Sequence, residues 1–140
     1  MWRVPLFELE YGPEEKQAVM EVLESGWLSS GKKTKLFEKR FGERLGNGAG
    51  CVAVSSCTAA LHLALLSLGV GPGDEVILPA LTFIADLNVV RMCGATPVLA
   101  DITSMDDWNM DSGDVAAKIT PKTKAVVCVH YAGQSCDMDS

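Results

Sequence analysis

The sequence is poor in the residues that most metal and redox chemistry requires. It has two histidines, His62 and His130, far apart in the chain, and five cysteines, Cys51, Cys57, Cys93, Cys128 and Cys136, none in C-x-x-C spacing. An odd, scattered set of thiols gives neither a disulfide framework nor a zinc site, so buried reduced thiols are expected, and His62 is expected to be a packing residue of an apolar helix. Neither G-x-G-x-x-G nor G-x-x-x-x-G-K-[ST] occurs, which removes the usual dinucleotide and P-loop signatures. Basic residues are also scarce. Twelve Lys and Arg stand against eighteen Asp and Glu, for a net charge of −6, so no stripe of positive charge is available for nucleic acid or a membrane surface. Lys32-Lys33 and Lys35, the only basic cluster, read as a solvated face near a helix start. The apolar run Leu61 to Leu68 is too short to cross a bilayer, and Met1-Trp2-Arg3-Val4-Pro5 lacks the layout of a signal peptide; a cytoplasmic protein is expected.

What the chain does have is apolar content, 48% of its residues, enough to bury a core at this length. Helical periodicity comes first. In Pro13–Ser25, Pro13 suits the first turn, Glu14 and Glu15 favour the helix dipole, Gly26 can end the helix, and Ala18, Val19, Val22 and Leu23 form the expected inner face. A second helix from about Thr34 to Leu45 spaces Phe37, Phe41 and Leu45 four apart, with Gly42 a slight weakness. After the Gly46-Asn47-Gly48-Ala49-Gly50 turn, short apolar runs alternate with helical ones. Strands are expected at Cys51–Val54, Glu75–Leu78, Thr96–Ala100 and Lys124–Val129, and helices near Thr58–Leu68, Phe83–Met92 and Asp111–Lys118, with a polar loop from Asp101 to Ser112. Such alternation predicts a mainly parallel α/β sheet with helices on both faces. The Thr58–Leu68 helix, apolar nearly all round, is expected to be the buried central one. No internal repeat or low-complexity tract is present.

Ligands in open sheets of this kind collect at the carboxyl ends of the strands. Ser55-Ser56-Cys57-Thr58-Ala59 follows the first expected strand, Thr82-Phe83 the second and His130 the fourth. Small hydroxylated residues opening a helix let the backbone approach an anion, with the free N–H groups and positive dipole end of the first turn aimed at it. Ser and Thr are also common as plain helix caps, and on the local pattern alone an ordinary capped βα turn is the leading reading.

The order of motifs adds to this. Gly69-Val70-Gly71-Pro72-Gly73-Asp74-Glu75-Val76-Ile77, Pro79-Ala80-Leu81-Thr82-Phe83, Gly94-Ala95-Thr96-Pro97-Val98 and His130-Tyr131-Ala132-Gly133 follow the segment at spacings that resemble the DegT/StrS-type sugar aminotransferases, from about Pro5 to the last residue. The resemblance implies pyridoxal 5'-phosphate (PLP) as cofactor and the N-terminal portion of the large domain of a fold-type-I transferase, with a helical segment over 1–50 and βα units over 51–140. It implies that Ser56, Cys57, Thr58 and Ala59 hold the cofactor phosphate, that Phe83 stacks on the pyridine ring, that His130 lines the pocket, and that Trp27-Leu28-Ser29 lies near the sugar site. Family members usually carry glycine where Cys57 stands. The implied reaction moves an amino group from a donor such as glutamate to a nucleotide-linked keto-sugar, in a homodimer.

Amino transfer also needs a lysine that bonds the cofactor. Lys16, Lys32, Lys33, Lys35, Lys39, Lys118, Lys122 and Lys124 are present, and none matches the family's position. By resemblance the lysine, the acid paired with the pyridine nitrogen and a further phosphate serine all lie beyond Ser140; neither Asp86 nor Asp101 has a matching role. Two other readings stay open: a sugar dehydratase of the same family, in which the lysine is replaced, and a truncated module that binds cofactor or dimerises without turnover.

Overall fold

The computed structural model describes residues 8–46 and 48–140. Met1–Pro5 and Asn47, about which the sequence raised expectations, lie outside the described residues. The chain divides into two compact units, Met1–Ala53 and Val54–Ser140.

In the first unit, α1 spans Pro13–Ser25 and α2 Lys32–Leu45. Pro13 opens α1, the Glu15 carboxylate reaches back to accept from the Gly12 N–H at 2.6 Å, and Gly26 ends it at φ 70°. That hydrogen bond holds the Glu15 carboxyl below its ordinary range. The expected inner face of α1 is not covered: none of its residues is buried, and Val19 and Leu23 are more than half exposed. Phe37 and Phe41 of α2 stack on each other, ring centroids 5.7 Å apart, but are likewise exposed. Gly42, read from propensity as a weak point, is the one buried residue of α2. A Cβ there would stand 2.7 Å from the Ala49 carbonyl oxygen, so glycine is what lets the chain after the turn run against the helix.

The second unit is built on a parallel three-stranded sheet in the order β2-β1-β3, with β1 Glu75–Pro79, β2 Thr96–Ala100 and β3 Thr123–Val126. Its helices are α3 Cys57–Ser67, α4 Ala85–Met92 and α5 Ser112–Lys118. The expected first strand, Cys51–Val54, has no regular secondary structure, so three strands form the sheet where four were expected. β3 stops three residues before Val129, although the Val127 N–H still donates to the Ile77 carbonyl at 2.8 Å. A register shift beside Glu75 and Val76 inserts Lys124 as a bulge. Pro97, which has no N–H, is tolerated because β2 is an edge.

β1 is buried on both faces. Val76 and Leu78 join Leu65 and Val70 of the α3 region and Val89, Val90, Cys93 and Ala95 of the α4 region in one cluster, while Ile77, on the opposite face by the two-residue strand period, is also fully buried. The chain runs from β1 through α4 to one side and from β2 through α5 to the other, and right-handed crossovers in opposite directions put α4 and α5 on opposite faces. α3 and α4 end alike. Gly69 at φ 73° and Gly94 at φ 78° turn the chain so that the Val70 N–H reaches the Leu65 carbonyl and the Ala95 N–H the Val90 carbonyl, with Val70 and Ala95 driven into the core. α3 is not the buried central helix. Only Leu65 is buried, and Leu63, Leu66 and Leu68 stay about half exposed, because the second unit covers one side of it alone. No helix among the described residues is long and apolar enough to cross a membrane.

Candidate functional site

α3 packs against α4, adds Leu61 and Leu65 to the cluster that holds Val76 and Leu78, and leads through a short loop to the amino end of β1. The helix is about 16 Å long, so its first turn is carried back toward the carboxyl edge of the sheet. There Ser56 caps it: the hydroxyl accepts from the Ala59 N–H at 3.1 Å, and the Ser56 carbonyl accepts from the Ala60 N–H at 3.1 Å. Ser56 is thus the N-cap of α3. Among the described residues the Cys57 and Thr58 N–H groups have no acceptor, and the Thr58 hydroxyl makes no hydrogen bond. No acidic residue occurs from Val54 to Gly73. Two N–H groups and one hydroxyl at a positive helix end, with no carboxylate in that stretch of chain, form a donor set for a phosphate.

Phe83 follows β1 and is 74% exposed, with its ring uncovered. Its backbone is fixed from both sides. The Thr82 hydroxyl is hydrogen-bonded to the Asp86 carboxylate, itself 6% exposed, and the Asp86 N–H donates to the Phe83 carbonyl at 3.2 Å. Sequence reasoning assigned Asp86 no role. Its role here is structural, and a Thr four residues before an Asp at a helix start was the signal available.

His130 lies past the carboxyl end of β3, the third strand and not the fourth, and β3 is the parallel neighbour of β1. Phe83 and His130 therefore extend from adjacent strand ends at one edge. The His130 segment turns back on itself: the Gly133 N–H donates to the His130 carbonyl at 3.1 Å, and the Cys136 N–H donates to His130 Nδ1 at 3.1 Å. Asn109, 4% exposed, braces the turn from the Asp101–Ser112 loop, donating through Nδ2 to the Ser135 carbonyl at 3.2 Å and accepting from the Cys136 thiol at 3.4 Å. Asn109 and Cys136 carried no sequence signal, because their partners are up to 27 residues away.

Trp27, Leu28 and Ser29 belong to the first unit and are exposed. The Trp27 indole N–H donates to the Ser30 carbonyl at 3.0 Å, and its ring lies over Gly31, where a Cβ would be 2.6 Å from Nε1. This closes the turn and leaves Trp27 64% exposed. No described lysine is buried: Lys33, Lys39 and Lys118 pair with Glu21, Glu43 and Asp114, and Lys16 sits over the Tyr11 ring. The five cysteines are unpaired, and the described residues hold no cluster of three or more metal-ligating side chains.

A parallel sheet with helices, free donors at one helix start and an exposed aromatic residue past the central strand make this part of an α/β domain whose strand ends carry the candidate ligand groups. The chain belongs to the DegT/DnrJ/EryC1/StrS aminotransferase family, whose model matches residues 10–140. It is 55% identical over 129 residues, 92% of this chain and 33% of the other, to the spore coat polysaccharide biosynthesis protein SpsC of Bacillus subtilis (strain 168). Among solved structures it resembles Spr1654 of Streptococcus pneumoniae, assigned as a sugar aminotransferase, at 40% identity and a TM-score of 0.87, over 99% of this chain and 34% of that one. PseC of Helicobacter pylori, an aminotransferase of pseudoaminic acid biosynthesis, follows at 35% identity and 0.81, over 92% of this chain and 34% of that one. The chain thus spans about a third of the length of the relatives it matches. Spr1654 has been solved in PLP and PMP forms.

Proposed function

We propose that this chain supplies the phosphate-holding and ring-stacking part of a PLP-dependent aminotransferase that acts on a nucleotide-linked keto-sugar, with an amino donor such as glutamate. The observation that carries the reading is the start of α3, where the Cys57 and Thr58 N–H groups and the Thr58 hydroxyl have no partner while Ser56 caps the turn. The Cys57 and Thr58 N–H groups and the Thr58 hydroxyl form the phosphate seat, beside the Ala59 N–H that Ser56 holds, and Cys57 is small enough to keep the backbone open to an oxyanion. Phe83 offers a flat face for the pyridine ring, a contact worth about 0.5–1.5 kcal/mol beyond area burial. His130 lines the same edge. Bound there, PLP would supply the electron sink that lets an amino group be moved from donor to acceptor.

The sugar assignment rests on the relatives, which act in spore coat polysaccharide and pseudoaminic acid biosynthesis. The exposed indole of Trp27, its N–H already used, suits stacking on a sugar ring, with Leu28 and Ser29 beside it. A homodimer fits the half-exposed leucines of α3, and a cytoplasmic setting fits the five unpaired thiols. Equilibrium dialysis with PLP, repeated with inorganic phosphate as competitor, tests the core of the reading. Saturable binding that phosphate displaces is expected; binding indifferent to phosphate would leave the α3 turn as a helix cap only.

A further inference from the structure

His130 is exposed, yet one of its ring nitrogens is fully engaged. Nδ1 accepts the Cys136 N–H at 3.1 Å, so the ring proton belongs on Nε2. Cys136 is itself tied down, its single thiol proton shared between the Val129 carbonyl at 3.2 Å and Asn109 Oδ1 at 3.4 Å. Asn109 is buried and uses its other end on the Ser135 carbonyl. Ser135 and Cys136, which follow the turn, are thus gripped by one buried amide, and the Cys136 thiol links them to Val129 before it. The adjacent cleft of about 250 Å³, lined by Asp106, Trp108, Asn109, Tyr131, Ala132 and Gln134, supports the same turn. Its Trp108 indole N–H, Asn109 amide and Gln134 amide are spent on Met105, Ser135 and Asp107. None of the described hydrogen bonds uses His130 Nε2.

We propose that Asn109 and Cys136 are positioning residues for His130: they hold its imidazole in the Nε2–H tautomer and so dedicate Nε2–H to donating to an oxygen of whatever anion or carbonyl binds at the carboxyl edge of the sheet. His130 is then a fixed donor, because Nδ1 already accepts the Cys136 N–H and leaves Nε2–H as the free polar edge of the ring. The role of that donor rests on the function proposed above; the tautomer does not.

The test is nuclear magnetic resonance on the whole 15N-labelled chain. Long-range 1H–15N correlation of the imidazoles should show His130 as a single Nε2–H tautomer, and a scalar coupling through the hydrogen bond should join Cys136 N to His130 Nδ1. Asn109→Ala should weaken that coupling and let the tautomers mix, with the β1–β3 amide shifts unchanged. Cys136→Ala, which keeps the backbone N–H and frees only the thiol anchors, should do the same to a lesser degree and serves if Asn109→Ala does not fold. A His130 ring with mixed tautomers and no coupling in the parent chain overturns the proposal, as does an unchanged ring in the variants. Added PLP separates the two readings. Shifted Thr58 and Ala59 amides with an unmoved His130 Nε2 overturn the donor role, whereas amides that do not respond count against the proposed function and leave the tautomer standing.

Discussion

The Thr82 hydroxyl is hydrogen-bonded to the buried Asp86 carboxylate, and Phe83 lies in the turn that this bond closes. Thr82→Val keeps the shape and removes the donor, leaving a buried charge short of a partner. Hydrogen bonds to charged groups contribute about 1.5–3 kcal/mol, so a loss of that order is expected in urea unfolding of the second unit. An unchanged midpoint would show that water replaces the hydroxyl at no cost.

The Thr58 and Phe83 contacts with PLP are of different kinds, and substitution should separate them. Thr58→Val removes one charge-assisted hydrogen bond, about 1.5–3 kcal/mol, which is roughly ten- to a hundredfold in affinity. Inorganic phosphate should compete less well in that variant. Phe83→Ala should also weaken PLP but leave phosphate competition as in the parent. Identical phosphate competition in all three proteins would rule out a phosphate seat at Thr58.

Gly42→Ala sets a methyl group 2.7 Å from the Ala49 carbonyl oxygen. Overpacking of this kind costs about 1–3 kcal/mol, more than the slight gain in helix propensity, so the first unit should melt lower. Gly26→Ala is a useful contrast. It meets nothing within 4 Å but must adopt φ +70°, which costs an L-residue about 1–2 kcal/mol. Gly42→Ala melting at or above the parent temperature would mean that the 48–50 segment moves away freely.

Asp114 accepts from the Lys118 ammonium and from the Asp101 N–H, and these, in that order, hold its carboxyl below the ordinary 3.8. A depressed folded-state pKa gives stability that is present above the unfolded value and is lost as pH falls through the folded one. The parent should therefore lose stability below about pH 4, while Asp114→Asn, lower at neutral pH, should lose less over that range. Parallel pH curves for the two, by urea unfolding from pH 7 to 2.5, would remove Asp114 from the acid response.

Leu63 and Leu66 are 53% and 48% exposed on α3, and apolar surface of that kind favours pairing. Sedimentation should show self-association that weakens in a Leu63→Gln, Leu66→Gln double variant. A parent chain that stays monomeric at high concentration would oppose the homodimer.

Punctuation and pattern made part of this fold legible. Pro13 and Gly26 bracket α1, and the β-branched Val76-Ile77 run marks the strand that became the centre of the sheet. The same logic misread Cys51–Val54, because an apolar run states a preference and only a neighbour with free N–H and C=O groups makes a strand. It misread α3 and α1 too: hydrophobicity is local, but burial needs an opposing surface that no window of sequence contains. At the site, Thr58, Phe83 and His130 were visible as residue types following strands. Asn109, Cys136 and Asp86 were not, since each acts by supporting another residue through a contact that spacing alone does not encode.

The order β2-β1-β3 has a consequence for a chain emerging from a ribosome. β1 is made first and ends in the middle, so each later strand adds to an edge that is already waiting. Among these three strands none has to be inserted between two others, and their assembly can follow the direction of synthesis from the centre outward.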